Sequence, residues 1–373
     1  MTAKDRVHAA LRREPVDRIP IFMWYHPETV HRLAADLEIP PGRLQEVLCD
    51  DVRQAWVGNN QAMEGIIHER EGESHTDCWG IEWVKAGPFN QIRRSPLEEA
   101  DEETARRYEH PYECVNDLLT AMEPLGELSR DYFIGCDVSP CLFEMVCRVR
   151  GMEQTILDLG ARPELAAKML SDAAAFQCHL AAEACARFEL DWLWTGDDVA
   201  GQQAMLMNPK VWRALVRPHL EAIIQIGKKH DLWVAYHCCG AVLPIIPDLI
   251  EIGVDVLNPV QTNCPGMDPA RLKEEFGAHL SFMGGVDTQH LLPYASASEV
   301  FRETRRLIDL MTSDGGGYIL AASHTVPPET PRENIFALYA AAGLSEEEIL
   351  DRASGVRKRE RCIGGTAAES RTA

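Results

Sequence analysis

The sequence contains no apolar run approaching the roughly 20 residues that a membrane-spanning helix needs. Its N-terminus, MTAKDRVHAALRREP, is charged and has no apolar signal core. Positive charge is scarce: 37 Lys and Arg stand against 58 Asp and Glu, a formal net charge of −21. Nucleic acids and anionic membranes are bound mainly through Lys and Arg, so neither is expected as the main partner. No short internal repeat is visible. No GxGxxG or GxxxxGK[ST] follows any strand-like run, so the usual phosphate cradles are not expected. The triple glycine 315–317 reads as a turn. Compact disulfide spacing is missing as well. The twelve cysteines are scattered from Cys49 to Cys362. These features lead us to expect a cytoplasmic chain with reduced thiols, most of them small packing residues.

What is present is the composition of an ordinary globule, with 46% hydrophobic and 25% charged residues. The N-terminal third is irregular. A helix is expected at 4–13, a buried strand at 19–23 and another at 52–57, with short β-like stretches between 65 and 110. From about residue 130 the pattern becomes regular. Strand-like runs at 131–136, 190–195, 232–237, 254–258, 280–285 and 318–322 alternate with helical ones. The helices are expected at 162–188, 209–229, 243–252, 268–276 and 296–312, and a last one starts near Pro331. This alternation implies parallel strands with helices outside them. We therefore expect an α/β fold, a (β/α)8 TIM barrel with an irregular N-terminal elaboration. It forms a single domain over 1–353 followed by a disordered tail at 354–373; an open doubly wound sheet is the second choice.

In such a barrel the active site lies at the carboxyl ends of the strands. Polar residues recur there: Asp197 and Asp198, then His237-Cys238-Cys239-Gly240, Asn258 and Gln261, Asp287 and Gln289, and His324. His237-x-Cys239 is the sharpest of these. Strand side chains alternate with period two, so residues 237 and 239 face the same way. Imidazole and thiolate together suit zinc, and three protein ligands leave a fourth position open for chemistry. His324 is the expected third ligand, with Cys264 as the alternative. Asp197-Asp198 reads equally as a helix cap or loop anchor and as catalytic or ligating groups. Gln261 and Gln289 read as loop anchors or as cofactor contacts alongside Asn258. Asp287 follows Gly284-Gly285, where close approach of a ligand is possible.

Five stretches in order resemble the uroporphyrinogen decarboxylase superfamily: RREPVDRIPIF, HTDCWGIEW, IPDLIEIGVDVLNPVQ, LKEEFGAHLSFMGGVDTQHLLP and GGGYILAASHTVPPETPRENI. The resemblance implies one (β/α)8 barrel and two possible chemistries. Decarboxylases of that family carry arginines in an N-terminal motif for a many-carboxylate tetrapyrrole. Here the matching stretch, Phe22 to Glu28, has none, and such a substrate calls for Arg. The corrinoid-dependent methyltransferase branch has an H-x-C-G zinc turn, which His237-Cys238-Cys239-Gly240 resembles. That branch has a further cysteine where this chain has Ser323-His324-Thr325. By resemblance, then, the expected activity is zinc-dependent methyl transfer between a corrinoid (methylcobamide) on a partner protein and a small-molecule thiol, folate or methylated donor. Asp197, Asp198 and Asp287 are its candidates for orienting the nucleophile, acting as general acid or supplying the fourth ligand. No D-x-H-x-x-G corrinoid module is present in the chain. The alternatives are a decarboxylase and a non-catalytic barrel that binds metal or a corrinoid protein.

Overall fold

The computed structural model describes residues 1–61 and 66–369, with side chains described as far as Arg361. Contacts divide the chain into two compact units, Val52–Phe282 and Met1–Asp51 with Met283–Ala373. Both are mixed α/β with parallel strand pairing. No helix among the described residues is long and apolar enough to cross a membrane.

In the unit Val52–Phe282, β1 (Val52–Trp56) comes first, followed by an antiparallel sheet of β2 (Ser74–Thr76), β3 (Glu82–Ala86) and β4 (Phe89–Arg94). β5 (Phe133–Asp137), β6 (Trp192–Gly196), β7 (Trp233–His237) and β8 (Val256–Val260) then line up beside β1 in parallel. Parallel strands covered on both faces read as continuous apolar runs, and β5, β6 and β8 are buried at every residue. A tryptophan stack fills this layer: Trp192 lies 5.1 Å from Trp194 and 5.0 Å from Phe133, ring centre to ring centre. Gly135 makes room for it, since a Cβ there would sit 2.1 Å from Trp192 Nε1.

The small antiparallel sheet accounts for the β-like stretches expected between 65 and 110. Asp77 organises its turn. One carboxylate oxygen accepts the Trp79 and Ile81 amides at 2.9 and 3.0 Å, and the other accepts Trp83 Nε1 at 2.7 Å. The helix expected at 209–229 is two helices, Pro209–Leu215 and Arg217–Lys229. Pro218 is the reason: without an N–H it belongs at a helix start, and it occupies the first turn of the second helix.

In the other unit, β9 (Ser281–Val286) enters at its last four residues, and β10 (Tyr318–Ala322) lies beside them. Tyr318 Oη donates to the Gly284 carbonyl at 2.7 Å, and the Ser323 amide donates to Val286 at 2.7 Å. The strand expected at 19–23 is reduced to isolated parallel bridges, Ile21 with Leu320 and Tyr25 with Val326. Pro20 cannot donate to a ladder; its carbonyl accepts the Leu320 amide instead. The tail also differs from expectation. A helix runs Glu346–Glu369, well past residue 353. Ile349, Ala353 and Val356 are all buried, which places an apolar stripe at helical spacing across the expected boundary.

Candidate metal centre

The site grows from the ends of three neighbouring strands. His237 is the last residue of β7. Its Nδ1 lies 2.7 Å from Asn258 Oδ1 on β8. An amide oxygen only accepts, so Nδ1 carries the proton and Nε2 is left as the lone-pair nitrogen. That Nε2 lies 3.5 Å from Cys239 Sγ and 3.9 Å from Asp198 Oδ1. The Cys239 amide donates to the same Asp198 oxygen at 2.8 Å. Nitrogen, sulfur and oxygen donors from His237, Cys239 and Asp198 all lie within 4.8 Å of one another.

The local backbone holds this arrangement. Cys238 is fully buried, with its thiol on the Cys239 carbonyl at 3.4 Å. Gly240 takes φ +90°, and a Cβ there would lie 2.4 Å from the Gly201 carbonyl oxygen, so the turn admits only glycine. Gln261 Oε1 accepts the Gly240 amide at 2.8 Å. Asn258 and Gln261 thus brace the ligand turn.

Asp197 and Asp198 diverge. Asp197 is wholly buried and caps the helix Phe143–Arg150, accepting the Phe143 and Glu144 amides at 3.0 and 2.7 Å. Burial lifts its carboxyl to about 7, with Glu144 adding to the effect. Asp198 instead joins the donor cluster. Glu144, which the sequence reading did not single out, lies behind it: the Asp198 amide donates to Glu144 Oε2 at 3.4 Å, and Glu144 Oε1 accepts Arg148 Nη2 at 2.7 Å. Arg148 in turn donates to Asn59 Oδ1 at 2.9 Å. The only signal for this pair in the sequence was a Glu–Arg spacing of four on a helix.

Electrostatics test whether a cation fits. Desolvation, then Glu144, pushes the Asp198 carboxyl up. Burial, then Asp198, pushes the Cys239 thiol up. Both anions are therefore disfavoured, Asp198 by burial and Glu144, and the Cys239 thiolate by burial and Asp198. A divalent ion reverses that balance. The donor set is one that zinc accepts.

The remaining expected site residues are Cys264, Asp287, Gln289 and His324. Cys264 is buried, its thiol 3.9 Å from Asn263 Oδ1, and it is not one of the three gathered donors. Asp287, Gln289 and His324 belong to the unit containing Met283–Ala373. Asp287 accepts the Gln289 amide at 2.7 Å and so shapes its own turn. Gln289 and His324 are exposed. Within the unit Val52–Phe282, the donor gathered with His237 and Cys239 is Asp198.

Parallel strands joined through helices, with polar side chains collected where consecutive strands end, define a mixed α/β class of protein consistent with a TIM-like fold. Within that class the uroporphyrinogen decarboxylase (URO-D) family model matches residues 91–343, more than half the chain, and the chain belongs to that family. A methyltransferase from Methanosarcina mazei has a similar fold, with a TM-score of 0.70 at 18% identity over 92% of this chain and 98% of that one. Weaker likenesses reach an endo-beta-1,4-xylanase from Gloeophyllum trabeum (TM-score 0.40, 7% identity, 60% of this chain and 80% of that one). They also reach a GH27 arabinopyranosidase from Geobacillus stearothermophilus (0.41, 8%, 92% and 78%). Neither bears on chemistry. No curated protein matches the chain.

Proposed function

We propose that the protein is a zinc-dependent methyltransferase. It moves a methyl group between a corrinoid carried by a partner protein and a small-molecule thiol, folate or methylated donor. The observation that carries this reading is the convergence of His237 Nε2, Cys239 Sγ and an Asp198 oxygen within 4.8 Å at adjacent strand ends. Membership of the URO-D family and the fold shared with a methyltransferase support it.

His237, Cys239 and Asp198 would hold the ion, and their number leaves a position open to substrate. Zinc bound there would supply Lewis acidity, keeping an acceptor thiol deprotonated or polarising a donor's oxygen. The chain's own residues do the rest. Asn258 fixes the His237 tautomer and ring angle through the 2.7 Å contact. The Cys239 amide holds the Asp198 oxygen in place. Asp197 locks the start of the Phe143–Arg150 helix, which sets Glu144 behind Asp198. Glu144, already paired with Arg148, is placed to receive or return a proton at Oε2. Decarboxylation of a many-carboxylate tetrapyrrole is the weaker reading, because Phe22 to Glu28 contains no arginine.

The test is methyl exchange with methylcobalamin as donor, using zinc-loaded protein and a panel of thiol, folate and phenol acceptors. The expected result is a methylated acceptor and loss of the methyl–cobalt absorbance, both abolished in His237→Ala and Cys239→Ala. Metal-independent release of carbon dioxide from a porphyrinogen, with no methyl exchange, would overturn the proposal.

A further inference from the structure

The donor cluster has a cation close at hand that it does not use. Arg148 sits one turn along the helix Phe143–Arg150 from Glu144, whose Oε2 accepts the Asp198 amide. The Arg148 charge is near enough to oppose the upward push that burial and Glu144 exert on the Asp198 carboxyl. Yet among the described residues its hydrogen bonds go elsewhere. Nη2 donates to Glu144 Oε1 at 2.7 Å, and Nη1 donates to both the carbonyl and the Oδ1 of Asn59. The guanidinium carbon stands 5.6 Å from the Trp83 ring centre.

Asn59 is itself held from behind. It is fully buried, in the loop that follows β1. The preceding Gly58 packs so closely on the segment after β5 that a Cβ there would overlap the Ser139 carbonyl oxygen. Asn59 Nδ2 donates to Asp77 Oδ2 at 2.6 Å, the oxygen that also accepts Trp83 Nε1. A carboxylate only accepts and a guanidinium only donates, so a side chain between them must donate on one side and accept on the other. An amide does both. The line Asp77–Asn59–Arg148–Glu144 thus runs from the small antiparallel sheet to the donor cluster, each link a hydrogen bond.

We infer that Asn59 is a positioning residue for the metal centre: it holds Arg148 back from Asp198 and so keeps that carboxylate open to a cation. The inference rests on the zinc reading of the cluster given above. A guanidinium turned onto Asp198 would form a charge-assisted pair, which a divalent ion would have to displace before binding. With Asn59 in place the Arg148 fork is directed at Asn59 and Glu144. Asp198 then keeps its oxygen beside His237 Nε2 and the Cys239 thiol.

The test measures zinc affinity by chelator competition in full-length wild type, Asn59→Ala, Arg148→Met and the double variant. Asn59→Ala is expected to bind zinc roughly tenfold more weakly. The double variant should return to within about twofold of Arg148→Met, since no guanidinium is left to compete. A purely structural loss at Asn59 would not be rescued by deleting a second side chain. A metal-free arm separates this inference from the zinc reading. Asp198→Asn should leave the urea midpoint of wild type in place but lower that of Asn59→Ala, where it breaks a new Arg148–Asp198 pair. Asn59→Ser, too short to reach both partners, replaces Asn59→Ala if that variant does not fold. The inference is overturned if Asn59→Ala binds zinc as wild type does, or if the double variant binds as weakly as Asn59→Ala. Equal midpoint shifts from Asp198→Asn in both backgrounds would overturn it as well. A wild type that binds no zinc would count against the zinc reading, and the metal-free comparison would then decide this inference by itself.

Discussion

Two charge clusters in this molecule, one buried and one half-buried, make an instructive contrast. In the unit containing the N-terminus, Asp51 is fully buried but meets two guanidiniums. Arg6 Nη1 lies 2.5 Å from Oδ1 and Arg18 Nη1 2.8 Å from Oδ2, and the Ile21 amide adds a third bond at 2.8 Å. The chain supplies the positive charge itself, and the cluster ties the first helix to the segment before β1. Around Asp198 the chain supplies an imidazole, a thiol and a second carboxylate, while the nearby Arg148 is occupied by Glu144. The first arrangement is complete as a structural joint. The second becomes balanced when a cation arrives. What separates a structural cluster from a candidate site is therefore the charge left for something else to neutralise.

The sharpest way to break this comparison is to remove one acid from each cluster. Asp51→Ala takes the shared buried carboxylate from Arg6, which keeps Asp17, and from the half-buried Arg18, and should cost about 3 kcal/mol in chemical denaturation. Asp198→Asn in metal-free protein removes a carboxylate whose charge burial and Glu144 already disfavour and should change stability by less than about 0.5 kcal/mol. Equal losses at the two positions would erase the distinction.

His110 offers an intermediate case, a buried titratable group stacked on Phe176. Burial lowers its pKa from 6.5 to about 4. The unfolded chain therefore binds a proton that the folded chain refuses between those values. Stability should be unaffected by this group above pH 6.5 and fall as the pH drops toward 4, by on the order of 2–3 kcal/mol in all. His110→Phe should flatten that part of the denaturation profile. An unchanged slope would contradict the assignment.

A smaller effect is expected one step back from the donors. Asn258→Ala frees the His237 ring to turn and should weaken zinc binding roughly 10–100-fold, with no change in the denaturation midpoint of metal-free protein greater than that of Asp198→Asn. Competition with a chromogenic chelator reads this directly.

The parallel strands were legible because fully buried strands are written as continuous apolar runs, as in Trp192-Leu193-Trp194 and Val234-Ala235-Tyr236. Where the reading strayed, a local feature outweighed the pattern. Pro20 breaks up the first strand into bridges, Pro218 starts a new helix inside an otherwise continuous period, and Val356 extends a helix into residues whose composition looks loose. The donor cluster was half legible. Period two was enough to put His237 and Cys239 side by side. The role of Asp198 depends on how the end of β6 meets the end of β7, which no spacing along one strand encodes. Asp197 and Asp198 are adjacent in sequence, yet one caps a helix and the other faces the ligands. His324 was chosen for its place at a strand end, and the turn that carries it, Ser323-His324-Thr325, departs from the methyltransferase branch's pattern.

The central claim is most directly tested by the zinc content of protein purified without chelator, comparing wild type with Asp198→Ala, His237→Ala, Cys239→Ala and Asp51→Ala. The account predicts about one equivalent in wild type and in whatever Asp51→Ala protein remains folded, with strong depletion in the other three. Less than half an equivalent in wild type, or full occupancy in Asp198→Ala, would contradict it.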